Sequence, residues 1–389
     1  MPTTITTIVS YSIILYKEEK EMKFRVEQRD LAKHITIAQR GISSRSTLQI
    51  LDGILIEAKD NAIKLTATDL EISIETFLDA KVEEKGKIVL NSRIFGDIVK
   101  KLPDDTIFFN VKENHVNIIC QNAEFNIIGN SGDDYPDLPP VIEENQFSIS
   151  KDLFKEAIRQ TVFATTQDET RPSLTGVLLE IADGVINFVS LDGYRLALRK
   201  VNTSTDIEAK IIIPGRSLNE LNKILEEKEE ELVVSMSHGQ AIFNLGETIM
   251  YTKLLEGQFF NYKDIMRSEH KTKVIINRRN LQNGLERASL LAKEEKANLV
   301  KLSISNGEVI IKSNSEMGDV VESVVAHQNG EDINIAFNSR YIIEGIKIMN
   351  CDDVEMNFIG SLNPCIINGV GDETYTYLVL PVRLAQDDF

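Results

Sequence analysis

Five histidines, His34, His115, His238, His270 and His327, are the residues from which metal or general-base chemistry would most directly be built. None stands in an HxxxH or HExxH arrangement that would set two imidazoles on one helical face, so no histidine-bound metal is expected. The carboxylates offer more: Asp69 and Glu71 in the segment 68–71, and Asp192 in the segment 191–195. A divalent-metal nuclease needs such acids converging from several strands, because a hard cation gathers oxygen ligands from different directions. Yet Asp192-Gly193 is a tight-turn dipeptide, and the 68–71 segment occupies the equivalent place in an internal repeat, so both are read as turns. Nucleotide and hydrolase motifs of the GxxxxGK[ST], GxGxxG and GxSxG types do not occur. Cys120, Cys351 and Cys365 show no CxxC spacing and read as reduced core thiols of a cytoplasmic protein. The expectation is a protein without catalytic residues, metal or cofactor.

The elements that must hold these residues repeat three times. Asn91 to Leu102, Pro214 to Leu225 and Asn338 to Met349 share one layout, in which Arg93, Arg216 and Arg340 are 123 and 124 residues apart. Each follows an apolar strand-like run, carries apolar residues at helical spacing and leads through an acidic turn to another strand. A second element recurs in the same frame: Phe24 to Leu31, Phe147 to Leu153 and Val274 to Leu281 each give a short alternating strand, a polar cap and an amphipathic helix. Paired strands follow, as in Ile54–Glu57 against Ile63–Thr66 and Val177–Glu180 against Val185–Val189. The 389 residues, 42% apolar and 26% charged, therefore divide into three similar globular domains of two strand-helix-strands halves each. The boundaries are placed at 22–141, 142–268 and 269–389.

Residues 1–21 contain an apolar run, Ile8 to Tyr16, followed by charges. It lacks the basic flank and cleavage site of a secretory signal and is too short to span a bilayer, so no membrane partner is expected. It is read as a disordered or non-native extension before Met22, with an extra strand of the first domain as the alternative.

A net charge of −17 argues against a nucleic-acid partner until the charge is located. The six predicted helices carry Arg25, Arg29, Lys33, Arg40 and Arg45; Arg93, Lys100 and Lys101; Lys151, Lys155 and Arg159; Arg216 and Lys223; Arg278, Arg279, Arg287 and Lys293; Arg340 and Lys347. Basic helices within an acidic protein would attract a polyanion to one face and repel it elsewhere. Without a zinc-finger spacing, an aromatic RNA-binding stretch or any tryptophan, binding would ignore sequence.

Met22-Lys-Phe24, Arg45 to Leu51, Thr68 to Glu71, Arg171 to Gly176, Leu191 to Leu196 and the terminal Leu380 to Leu384 together resemble the beta sliding clamps of bacterial replicases. The resemblance covers 22–384. It implies an α+β clamp fold, closing as a head-to-tail homodimeric ring around double-stranded DNA, with helices inside and sheets outside. It implies a processivity factor whose partners are the replicative polymerase alpha subunit, the clamp loader and other proteins with a clamp-binding motif. Arg45, Arg93, Lys100, Gln167, Arg216, Arg278, Arg279 and Arg340 are expected to meet DNA. A partner-peptide pocket between the second and third domains would be formed by Arg171, Leu174, Leu191, Gly193, Tyr194, Arg195, Leu196, Phe260, Ile265, Asn338, Tyr341, Leu378, Leu380, Pro381, Val382 and Arg383. Leu290 and Leu291 would lie at the dimer interface. Phe260, where many relatives have proline, and Pro172-Ser173 depart from the pattern at the pocket rim. A scaffold unrelated to replication and a metal nuclease remain the rival readings.

Overall fold

The computed structural model describes residues 21–43, 48–138, 145–226, 230–237, 239–266, 269–292 and 298–383. The apolar run at 8–16 and Arg45 lie outside the described residues. Among those described, six α-helices alternate with strands: α1 (Gln28–Ala38), α2 (Ser92–Lys101), α3 (Lys151–Thr161), α4 (Gly215–Ile224), α5 (Arg278–Ala292) and α6 (Ser339–Lys347). Arg93, Arg216 and Arg340 are each the second residue of their helix, so the repeat read from spacing is a repeat of local structure.

The helices start where the chain supplies a stop. Asn91 accepts a hydrogen bond from the backbone N–H of Ile94 at 3.1 Å, and Asn338 from that of Arg340 at 3.0 Å, so each side chain satisfies an amide the helix cannot. At the middle position Pro214 makes no such side-chain bond; its ring fixes φ at −52° while ψ at 134° keeps it outside the helix immediately before α4. Each helix then buries one stripe, Phe95 and Val99 on α2, Leu218 and Leu221 on α4, Ile342 and Ile346 on α6.

The chain forms two compact units. The first takes the described residues up to Leu138, apart from Leu70–Ser73, which group with the second. In the first unit, one sheet runs in the order Lys81–Glu84, Glu21–Glu27, Thr106–Lys112, His115–Cys120, Ala123–Ile128. Its inner face meets α1 and α2 in one core, where Phe24 stacks on Phe109 at 4.5 Å and Phe95 meets the same ring edge-on at 5.9 Å. Removing a ring such as Phe95 would cost about 3–5 kcal/mol, since its neighbours cannot collapse into the gap.

The second unit is organised by a twelve-stranded sheet. Its first four strands are Ala209–Pro214, Gly176–Ala182, Val185–Leu191 and Arg195–Asn202. The next, Tyr375–Val379, pairs antiparallel with Arg195–Asn202 in the register Leu196 to Leu378, and the sheet continues through residues of the last third of the chain. The expected division near residue 268 falls inside this unit, because one hydrogen-bonded sheet passes through both of its halves. Close approach fixes α6 against that sheet: a Cβ on Gly345 would lie 2.2 Å from the Tyr377 ring, and the Tyr377 hydroxyl donates to the Tyr341 carbonyl at 2.8 Å.

Candidate docking cleft and cationic helix starts

The turn after Leu191 is built by Asp192. Its Oδ1 accepts the backbone N–H groups of Tyr194 (2.9 Å) and Arg195 (3.1 Å), and Gly193 takes a φ of +92° that only glycine adopts without strain. Asp192 is thereby committed to the turn. Among the described residues no group of three histidines, cysteines or acids is placed to hold a metal ion.

Arg195 follows with an almost fully buried side chain. Its Nε donates to Asp192 Oδ2 at 3.0 Å, its Nη2 to the Phe163 carbonyl at 2.9 Å, and its Nη1 to Glu344 Oε2 on α6. The guanidinium lies 5.1 Å from the Phe163 ring centre and 4.7 Å from that of Tyr341. Burial works against its charge, but Tyr377, Glu344 and Asp192 outweigh it and raise its pKa above the ordinary value. The sequence places Arg195 among the pocket residues; the structure makes it a buried tie between the turn and α6.

Around this tie lies an apolar surface. Leu191, Leu196 and Leu378 are buried in one cluster with Leu178, Val189 and Tyr262, and Leu174 and Ile265 pack against it half-buried. Tyr194, 60% exposed, stacks on Tyr341 at 5.9 Å, and Leu380 is 37% exposed. The chain end is strapped across this region: the Leu380 N–H donates to the Tyr194 carbonyl and the Val382 N–H to that of Ala336, both at 2.8 Å. Pro381 and Val382 are half-buried and Arg383 is exposed. Arg171 is exposed beside the turn, its Nη1 3.6 Å from where a Cβ on Gly193 would lie. Asn338 is half-buried and its side-chain oxygen caps α6.

Phe260, 50% exposed, stands outside the cluster, whereas its neighbour Phe259 packs against it. Tyr262, which sequence reasoning passed over, anchors this stretch: its hydroxyl donates to Glu180 Oε2 at 2.5 Å, and Lys210 and Lys263 also reach that carboxylate. Burial opposes the Glu180 charge, but these three partners hold its pKa down to about 2. The available signal was the acid in the otherwise apolar strand Gly176–Ala182, which needs a donor if it is buried.

The cations are less uniform than expected. Arg93, Lys100, Arg216 and Arg279 are exposed on their helices, and Gln167 is exposed in the loop after α3. Arg340 is exposed but donates to Glu344 Oε1 at 2.6 Å, and Arg278 is half-buried with Nε on the Cys351 carbonyl at 2.8 Å. Arg25 lies on a strand, not a helix, and pairs with Glu83 at 2.6 Å. Lys151 is buried, bonded to Glu230 at 2.5 Å and to the Leu245 carbonyl at 3.0 Å, and Arg287 forks onto Glu322. Lys151 is thereby buried away from any polyanion, whereas Arg25 and Arg287, like Arg340, are accessible cations paired with an acid. On α5, Leu290 is 65% exposed and Leu291 half-buried. All three cysteines are free, Cys120 and Cys365 buried. No helix among the described residues is long and apolar enough to cross a membrane.

Residues 22–139, 148–261 and 263–383 match, in chain order, the N-terminal, central and C-terminal domains of the DNA polymerase III beta subunit. The chain belongs to this family, the beta sliding clamps. It is 38% identical to the beta sliding clamp of Bacillus subtilis (strain 168) over 376 residues, 93% of this chain and 100% of that one. With the clamp of Halalkalibacterium halodurans the identity is 34% over 378 residues, again 93% and 100% of the two chains. The crystal structure of the B. subtilis DNA polymerase sliding clamp matches with a TM-score of 0.91 at 36% identity, covering 94% of this chain and 100% of that one. The Thermotoga maritima beta subunit matches at 0.88 and 29% identity, with 94% and 100% covered. The α+β clamp fold and a place in DNA replication as a sliding clamp follow for this chain. Within the beta clamp frame, the apolar surface around Arg195 belongs to the matched central and C-terminal domains, and the three helix-start arginines fall one in each matched domain.

Proposed function

We propose that two copies of the chain close head to tail into a ring around duplex DNA, bind it without reading sequence, and tether the polymerase alpha subunit, the clamp loader and other motif-bearing proteins through the cleft. The observation that carries this reading is the position of Arg93, Arg216 and Arg340. A cation in the first turn of a helix opposes the helix dipole at a cost of about 0.3–1 kcal/mol. The helix dipole therefore disfavours placing one there three times, Arg340 with Glu344 and Arg216 with Glu71 as local partners, and attraction to a polyanion supplies a common reason. With no zinc-finger spacing or aromatic RNA-binding stretch in the sequence, phosphate contact makes binding weak, salt-dependent and indifferent to sequence. Asp192 is committed to its turn, which supports a role without catalysis, and the free thiols suit the reducing cytoplasm.

Ring closure needs a self-complementary junction. Leu290 is too exposed for a residue serving only its own core, and among the described residues the strand Ala123–Ile128 is the edge of its sheet, carrying exposed Phe125 and Ile128, the latter 77% exposed. Replacing both Leu290 and Leu291 with alanine removes apolar contact worth roughly 3–5 kcal/mol per junction, enough to weaken dimerisation by orders of magnitude. Sedimentation at nanomolar concentration checks this; a variant that stays dimeric there places the junction elsewhere. The ring itself is tested by loading the protein on a closed circular plasmid and then cutting it once. Retention on the circle and release from the linear form are expected; equal retention on both refutes encirclement, and magnesium-dependent cleavage of the plasmid would return the nuclease reading.

A further inference from the structure

Glu344 sits on α6 between two arginines that serve different surfaces. Its Oε2 accepts from buried Arg195, which holds the turn under the cleft; its Oε1 accepts from exposed Arg340 at 2.6 Å. We infer that Glu344 is a positioning residue for partner docking, acting through Arg195, and that the same carboxylate restrains Arg340 from DNA. This rests on the docking and DNA-binding roles proposed above.

Three observations support the inference. Arg195 has its Nε, Nη1 and Nη2 all donating, to Asp192, Glu344 and the Phe163 carbonyl, and aromatic rings near its guanidinium. It is thus built to hold its surroundings and not to receive a ligand. Asp192 carries the turn that ends in Tyr194, and the Tyr194 carbonyl receives the Leu380 N–H, so the position of Arg195 is passed to the terminal strap. Glu344 is the charged partner that α6 gives to Arg195, beside the ring contact of Tyr341 on the same helix, whereas Asp192 and Phe163 both precede it by more than a hundred residues. Burial disfavours its ionised form, yet Arg340 and Arg195 outweigh that and hold its pKa below the usual carboxylate range.

The arrangement has a consequence that a general stabilising role lacks: loss of the carboxylate should move the two affinities in opposite directions. Without its charge Arg195 loses a buried partner and the turn loosens, so peptide affinity falls. Arg340 is freed at the same time, and a freed arginine adds up to one phosphate contact. The test uses the full chain and two variants, Glu344→Gln, which keeps one neutral acceptor, and Glu344→Ala, which keeps none. Peptide binding is read by fluorescence anisotropy with a synthetic peptide carrying a glutamine and leucine or phenylalanine anchors. DNA binding is read as affinity against salt on a short duplex. The expected result is peptide affinity lowered about 3–5-fold in the glutamine variant and about 5–20-fold in the alanine variant. DNA affinity should rise in both, with a log–log salt slope steeper by up to about 0.9. Unchanged peptide affinity, a fall in both affinities, or a peptide loss without a DNA gain each overturns the inference. Should the alanine variant fail to melt cooperatively, the glutamine variant decides alone. Leu174→Asp separates the underlying reading: if it leaves peptide binding intact, the cleft is not the docking site and that proposal fails, whatever Glu344 does.

Discussion

The cleft and the helix starts solve the placement of side chains in opposite ways. In the proposed docking cleft, Asp192, Arg195, Glu344 and Tyr341 are fixed by hydrogen bonds and ring contacts, so the surface is set before any ligand arrives. At the helix starts, Arg93 and Arg216 are exposed, and Arg216 pairs at 3.8 Å with the exposed carboxylate of Glu71. A rigid cleft suits a short peptide, for which ordering costs are large, and micromolar affinity, about −8 kcal/mol, is the natural scale. Exposed cations suit a polyanion that must slide, because no single geometry is preferred along the groove. On the proposed roles, a fixed cleft and exposed cations divide the two tasks.

The comparison breaks most visibly at the chain end. Deleting Leu380 to Leu384 removes the strap held by Tyr194 and Ala336 and exposes Leu378 and Leu196, while leaving every helix start untouched. Peptide affinity should fall by more than about 100-fold, since several apolar contacts each worth roughly 1–2 kcal/mol go together. Dimer formation and retention on circular DNA should persist. If peptide affinity survives the deletion, the docking surface lies elsewhere and the rigid half of the comparison collapses.

Much of this division was legible in the sequence. The frame of 123 and 124 residues placed Arg93, Arg216 and Arg340 correctly at three helix starts, because capping residues and apolar spacing are local signals. The turn at Asp192-Gly193 was legible for the same reason. What stayed hidden depends on contacts between distant segments. Arg195 looks like any rim arginine until Glu344, 149 residues on, is seen beside it. Lys151 looks like a solvated cation until Glu230 and Leu245 close over it. Tyr262 and Glu180 are 82 residues apart, and no periodicity joins them.

A smaller effect sharpens the exposed half. Replacing Arg93 or Arg216 singly with alanine should lower duplex affinity about 2–5-fold and flatten the log–log salt slope by about 0.9, equally for any sequence. Peptide affinity should not change. An effect confined to one DNA sequence would mean that these arginines read bases and are not loose phosphate contacts. Acid offers a matching probe of the rigid half. Glu180 has a folded pKa of about 2 against 4.5 when unperturbed, so its contribution is complete above about pH 4.5 and is lost as pH falls toward 2. The Tyr262 segment should therefore loosen in that window, and Glu180→Gln should flatten the dependence of the melting temperature on pH between about 4.5 and 2. An unchanged slope would mean that other carboxylates govern acid unfolding of this unit.

The smallest effect is expected at Tyr194, where the two halves of the comparison meet. Its backbone belongs to the rigid turn, with its N–H on Asp192 and its carbonyl on Leu380, but its ring is 60% exposed and touches Tyr341 only by stacking. Tyr194→Ala leaves the backbone bonds in place and removes one aromatic contact, worth about 0.5–1.5 kcal/mol in general and less at this exposure. Stability should shift by only a few tenths of a kcal/mol, within the usual range for surface changes. Peptide affinity should fall about 2–5-fold if the ring also covers the ligand, and the loss should appear in dissociation rate more than association rate. A loss comparable to that of the terminal deletion would mean that the exposed ring, and not the buried network under it, defines the cleft.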